Sequence, residues 1–154
     1  MLFATAIALH LLSAVVWIGG MFFAYAVLRP SAAGLLEPSQ RLPLWSETFR
    51  RFFAWVWVAI VLLVATGFWM IFGYYGGMKY AGLHIHIMNG IAWIMIALFI
   101  YLNLGPIKGL RISVAASDWP GGAEHLAKIR RIVAINLSLG LTIVVVAGAG
   151  RHLL

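Results

Sequence analysis

Phe52-Phe-Ala-Trp-Val-Trp-Val-Ala-Ile-Val-Leu-Leu-Val-Ala-Thr-Gly-Phe-Trp-Met-Ile-Phe-Gly73 is a run of 22 residues without a charged side chain. As a helix rising about 1.5 Å per residue it reaches roughly 30 Å, the thickness of a bilayer's hydrocarbon core. Backbone amides in that layer have no water to bond, so a run of this kind has to be helical. Three more such stretches, at about 2–28, 83–104 and 132–150, complete a set of four. The expected fold is all-α: an integral membrane four-helix bundle forming a single transmembrane domain over 1–154.

Composition agrees with the local pattern. Of 154 residues, 64% are hydrophobic and only 10% charged, whereas a soluble domain is about a quarter charged. A soluble protein is excluded, and no room is left for a separate soluble domain. The connections 29–51 and 105–131 are turn-rich, with Pro30, Pro38, Pro43, Pro106 and Pro120-Gly121-Gly122. Within them 45–51 and 123–131 read as amphipathic pieces lying along the interface. The first apolar stretch is not expected to be a cleaved signal peptide, because no Lys or Arg precedes Arg29 and it is too long for an h-region.

Charge sets the expected direction. The chain has 11 Lys or Arg against 4 Asp or Glu, a net of +7. Nine of the basic residues fall in the two long connections: Arg29, Arg41, Arg50, Arg51, Lys108, Arg111, Lys128, Arg130 and Arg131. Only Lys79 and Arg151 lie on the other side. The positive-inside bias then places both termini and the 74–82 connection outside, giving an N-out, C-out protein. The basic residues form no dense stripe, so a nucleic-acid partner is not expected; the partner is the lipid bilayer.

The residues available for chemistry inside the membrane are few. There is no cysteine, which removes disulfides, c-type haem attachment, iron–sulfur clusters and thiolate zinc sites. The four acids, Glu37, Glu47, Asp118 and Glu124, all lie in the basic connections, which disfavours carboxylate proton relays and hard-cation sites. Histidine remains. His125 falls in a connection and His152 at the chain's end, where an imidazole is ordinarily interfacial. His84 stands at the start of the third stretch. His10 and His86 lie about 12 Å and 5–9 Å deep by helical rise, and a buried ionisable group in a membrane needs a partner.

His10, Ser13, Trp17 and Gly20 share a helical face, as do His86, Asn89, Gly90 and Trp93. Two helices each presenting an imidazole, a small polar group and a tryptophan suggest a shared interior site. One candidate is bis-histidine b-type haem held by His10 with His86 or His84, with Ser13 and Asn89 orienting the rings, Trp17 and Trp93 lining the slot, and Lys79, Tyr80 or Arg151 meeting the propionates. The role would then be electron transfer with a quinone or membrane redox partner, and an open iron position would permit oxidoreductase catalysis. The rival is a copper site. His84, His86 and Met88 lie within five residues, with Met70 and Met78 nearby, and imidazole with thioether suits Cu(I). On a helix only His84 and Met88 share a face. A third reading is a non-catalytic structural subunit, in which the Gly-rich faces serve helix packing or a homo-oligomer.

The segment His10-Leu-Leu-Ser-Ala-Val-Val-Trp17-Ile-Gly19-Gly20-Met-Phe22 resembles the opening helix of the bacterial CopD-like (copper-resistance D) membrane family. It is also similar to the start of the HemJ-type four-helix membrane protoporphyrinogen oxidases. The likeness extends to Thr66-Gly67, to Leu83-His84-Ile-His86, and to Arg131 with Asn136. It implies a small helical bundle with b-type haem in the oxidase branch and copper handling in the other, with His10 and His84 at the histidine positions. His86 stands where the oxidases carry lysine, and Leu137 where they usually carry glutamate.

Overall fold

A computed structural model describes the backbone of residues 1–153 and the side chains of 1–150. Four helices are long and apolar enough to cross a membrane, and no strand occurs among the described residues. Helix α1 runs Leu2–Leu35 and α2 runs Pro38–Tyr74. A short 3-10 turn at Met78–Tyr80 leads into α3, Leu83–Leu104. The short α4, Pro106–Ala115, and the long α5, Trp119–Leu153, follow. The chain is a multi-pass, all-α membrane protein.

The helices outrun the apolar stretches. α2 has 37 residues, about 55 Å at 1.5 Å per residue, nearly twice a hydrocarbon core. The segments 45–51 and 123–131, expected to lie along the interface, are instead continuous with α2 and α5. Packing explains the correction: Leu42, Trp45 and Phe49 of α2 and Leu126 and Ile129 of α5 are buried, together with Leu110 of α4. These side chains cover one another beyond the apolar runs, so the helices continue past them as a packed bundle. There Arg50 and Arg51 bond Glu47 at 2.6–2.7 Å, and these bonds, Arg50's first, hold its carboxyl down at about 2.

Turn chemistry joins α4 to α5. Ser117 takes a left-handed φ of 55°, and the Asp118 carboxylate then accepts the Gly121 N–H at 3.0 Å, capping α5. At the opposite end Gly76 and Gly77, with φ of 80° and 127°, make the turn after α2.

Burial is uneven along the bundle. The end carrying the basic connections holds Leu42, Phe49, Leu102, Ile107, Leu110 and Ile129, all 4% exposed or less. Aromatic rings bridge the middle, where Phe99 of α3 meets Phe53 and Trp57 of α2 and Trp17 of α1 at 4.8–6.1 Å. Toward the histidine end burial thins to small or isolated side chains such as Ala6, Ser13, Thr66, Ile71 and Ala81. There the helices associate mainly as two pairs, α1 with α2 and α3 with α5, while α1 and α3 stand diagonally without sustained backbone contact.

Candidate functional site

The histidine end lacks carboxylates, since all four acids lie at the basic end. Whatever binds among its described side chains meets neutral imidazole, thioether, amide and hydroxyl groups, with Lys79 as the one cationic side chain. Three turns of α1 bring His10 against α2. Its Nδ1 lies 2.8 Å from Thr66 Oγ1, and the Thr66 hydroxyl donates to the Leu62 carbonyl at 2.5 Å. That single hydroxyl hydrogen is committed to Leu62, so Thr66 Oγ1 accepts from His10. In that arrangement His10 would carry its proton on Nδ1, the tautomer that leaves the lone pair on Nε2.

Gly67 makes room for the ring: a Cβ at that position would stand 3.3 Å from His10 Cε1. Thr66 is the one hydroxyl residue in the 52–73 run, a signal that sequence could have offered; its partner lies 56 residues away. The expected helper Ser13 is buried, but its hydroxyl donates to Leu9 O of its own helix at 2.8 Å. Thr66 orients His10, and Ser13 is spent on backbone.

α3 presents the second group. A Cβ on Gly150 would come within 2.9 Å of His84 Cβ, and one on Gly82 within 2.7 Å of its Cε1. Two glycines thus seat His84 between the start of α3 and the end of α5. His84 is half-buried whereas His86 is exposed. Met88, half-buried, follows His84 one turn on along the same face, and the buried Met95 continues it. Met78 folds from the connection onto α3, with Asn89 Nδ2 4.0 Å from its sulfur. Met70 begins a π-helical turn, Met70–Tyr74, that closes α2; such turns recur at functional sites.

The expected partners therefore sort differently. His10 faces α2 and His84 faces α5, each within its own helix pair, and His86 is turned away from the bundle. Trp17 packs in the core against Phe99, and Trp93 is half exposed beside Phe68. Lys79 and Tyr80 are exposed, and the side chains of Arg151 and His152 lie outside the described residues. His125 packs over Gly109 at the basic end, where a Cβ on that glycine would collide with the imidazole. Among the described residues no three His or acidic side chains cluster as a metal site, so soft binding here depends on methionine.

A family model described as copper resistance protein D matches residues 46–149. The chain belongs to the copper resistance protein D family. The matched region holds Thr66, Met70, Met78, His84, Met88 and Asn136, and begins after α1, so His10 lies outside it. No curated protein and no solved structure matches the chain. The family's description points to copper, the alternative to haem among the cofactors expected from sequence.

Proposed function

We propose that this member of the copper resistance protein D family binds Cu(I) as cargo at its histidine end, taking it up from the outer face of a bacterial inner membrane. The observation that carries the reading is the family match over the segment that contains Met70, Met78, His84 and Met88. The arrangement is consistent with it. A thioether and an imidazole share one face of α3, a second thioether folds onto that helix, and no carboxylate is present to favour a hard cation. His10, with Nε2 free, adds an imidazole on the α1–α2 pair. Neutral donors suit a monovalent ion in a membrane, where each uncompensated charge is costly. The N-out, C-out direction inferred from the basic residues puts this end outside.

Bis-histidine haem gains less support. It needs two imidazoles on opposite faces of one slot, whereas His10 bonds Thr66 and His86 is exposed.

Titration of purified protein with Cu(I) against a chromophoric chelator tests the proposal. Wild type should bind, and alanine at Met70, Met78 and Met88 together should weaken binding at least tenfold, with His84→Ala falling in the same direction. A wild type without Cu(I) affinity, or one isolated with a sharp reduced haem α-band and indifferent to the methionine changes, would overturn it.

A further inference from the structure

The basic end has two populations of arginine. Arg50 and Arg51 are paired with Glu47 and largely exposed, at 58% and 74%. Arg29, Arg41 and Arg130 are half-buried and come from three different helices, α1, α2 and α5. Among the described residues none of these three has a carboxylate within 4.0 Å. Burial first, and then the charges of Arg29 and Arg41, push the Arg130 guanidinium below its ordinary pKa. Arg29 also lies over the Tyr25 ring, 4.9 Å from its centroid, which fixes the guanidinium's direction.

Tyr25, Arg29 and Arg130 line one small concavity, backed by the buried Trp45, Phe49 and Ile129. Like charges gathered on three rigid helices without an internal counter-ion call for an external anion. Guanidinium matches phosphate oxygens through paired N–H donors. Position along the helices distinguishes between sources of that phosphate. Arg29 directly follows the first apolar stretch, and Arg130 comes two residues before the fourth, so the site straddles the boundary of the hydrocarbon core. A headgroup held at that boundary keeps its acyl chains in the bilayer, an anchorage that a soluble ion lacks.

We propose that Arg29, Arg41 and Arg130 form a site for the phosphate headgroup of an anionic phospholipid, held at the bilayer boundary by α1, α2 and α5. Basic pockets between transmembrane helices are suited to such headgroups, and each arginine near an anionic surface contributes on the order of a fivefold gain in binding.

The test is native mass spectrometry and thermal unfolding of the full chain in neutral detergent, with phosphatidylglycerol, phosphatidylcholine of matched chains, or inorganic phosphate added. Phosphatidylglycerol should be retained as a bound adduct and raise Tm, with phosphatidylcholine doing neither. Arg29→Gln/Arg41→Gln/Arg130→Gln should lose that preference by tenfold or more, and the Lys triple should keep most of it. Arg50→Gln/Arg51→Gln should behave as wild type. Arg130→Gln alone should leave Tm in lipid-free detergent unchanged or higher, because repulsion is relieved, while losing much of the phosphatidylglycerol response. That single variant decides the matter if the triple does not fold. Equal retention of both lipids by wild type, a preference that survives Arg130→Gln, or displacement of phosphatidylglycerol by millimolar inorganic phosphate would each overturn the proposal.

Discussion

Thr66→Val is the sharpest probe of the histidine end. The substitution keeps the side chain's shape and deletes one oxygen, which accepts from His10 Nδ1 at 2.8 Å and donates to Leu62 O at 2.5 Å. Leu62 O keeps its backbone helical bond, so its loss is minor. The cost falls on the imidazole, whose Nδ1–H loses its acceptor, at about 1–3 kcal/mol if the ring stays in place. A ring freed to turn no longer presents Nε2 in a fixed direction. Loss of an orienting partner behind a metal-binding histidine typically weakens affinity by about 10–100-fold, or roughly 1.4–2.7 kcal/mol. Cu(I) competition against a chromophoric chelator reads this directly, with Tm measured in parallel. Thr66→Ser should recover most of the affinity, because its hydroxyl can make the same two bonds. Ser13→Ala should stay within about twofold, since that hydroxyl bonds Leu9 O. Wild-type affinity in Thr66→Val, or equal losses in Thr66→Val and Ser13→Ala, would refute the assignment of His10 and its tautomer.

Three further outcomes follow from the packing. Gly67→Val should press on the His10 ring, which lies 3.3 Å from the place of a Cβ, and lower copper affinity more than Tm; an unchanged titration would show that the ring is not held there. Gly140→Val should destabilise by about 1–3 kcal/mol through overpacking, because Ile18 and Met95 come within 3.0–3.3 Å of a Cβ there. Gly148→Ala, with nothing within 4 Å, should leave Tm nearly unchanged; the comparison of the two melting curves is the check. Asn136→Leu should match or exceed wild-type Tm, since Asn136 is 1% exposed, its Oδ1 has no partner, and its Nδ2 reaches Met95 O only at 3.4 Å. A clear fall in Tm would mean that the oxygen is satisfied in the membrane.

Much of the architecture was legible because the membrane imposes one rule on every residue. Runs without charge have to be helices, and 52–73 announces itself by composition alone. The ends of the helices were not legible in the same way. Residues 38–51 and 119–131 are polar and interrupted by proline, and what keeps them helical is contact among Leu42, Leu110 and Ile129, residues distant in sequence. The π-helical turns at Val15–Gly19, Phe23–Leu28 and Met70–Tyr74 leave no local mark either. At the site, His10 stood out as an ionisable group inside an apolar helix. Its facing partner depended on how α1 is rotated, and spacing within α1 is equally compatible with any neighbour. The pairing of His10 with Thr66, and of His84 with Gly150, follows from helix order around the bundle, which four apolar stretches alone do not specify.

The contrast between a loosely packed histidine end and a tightly packed basic end has an electrical consequence. A resting membrane potential acts on every ion that finds a continuous polar path, at about 2.3 kcal/mol per charge for each 100 mV. Copper ligands open to one face would be hazardous to the cell if protons could follow the metal inward. Phe53, Val56, Phe99 and Leu102 fill the middle of the bundle with buried apolar side chains, and such a field falls mainly across a layer of this kind. An ion bound at the histidine end, as proposed above, would reach the far side only if these side chains parted.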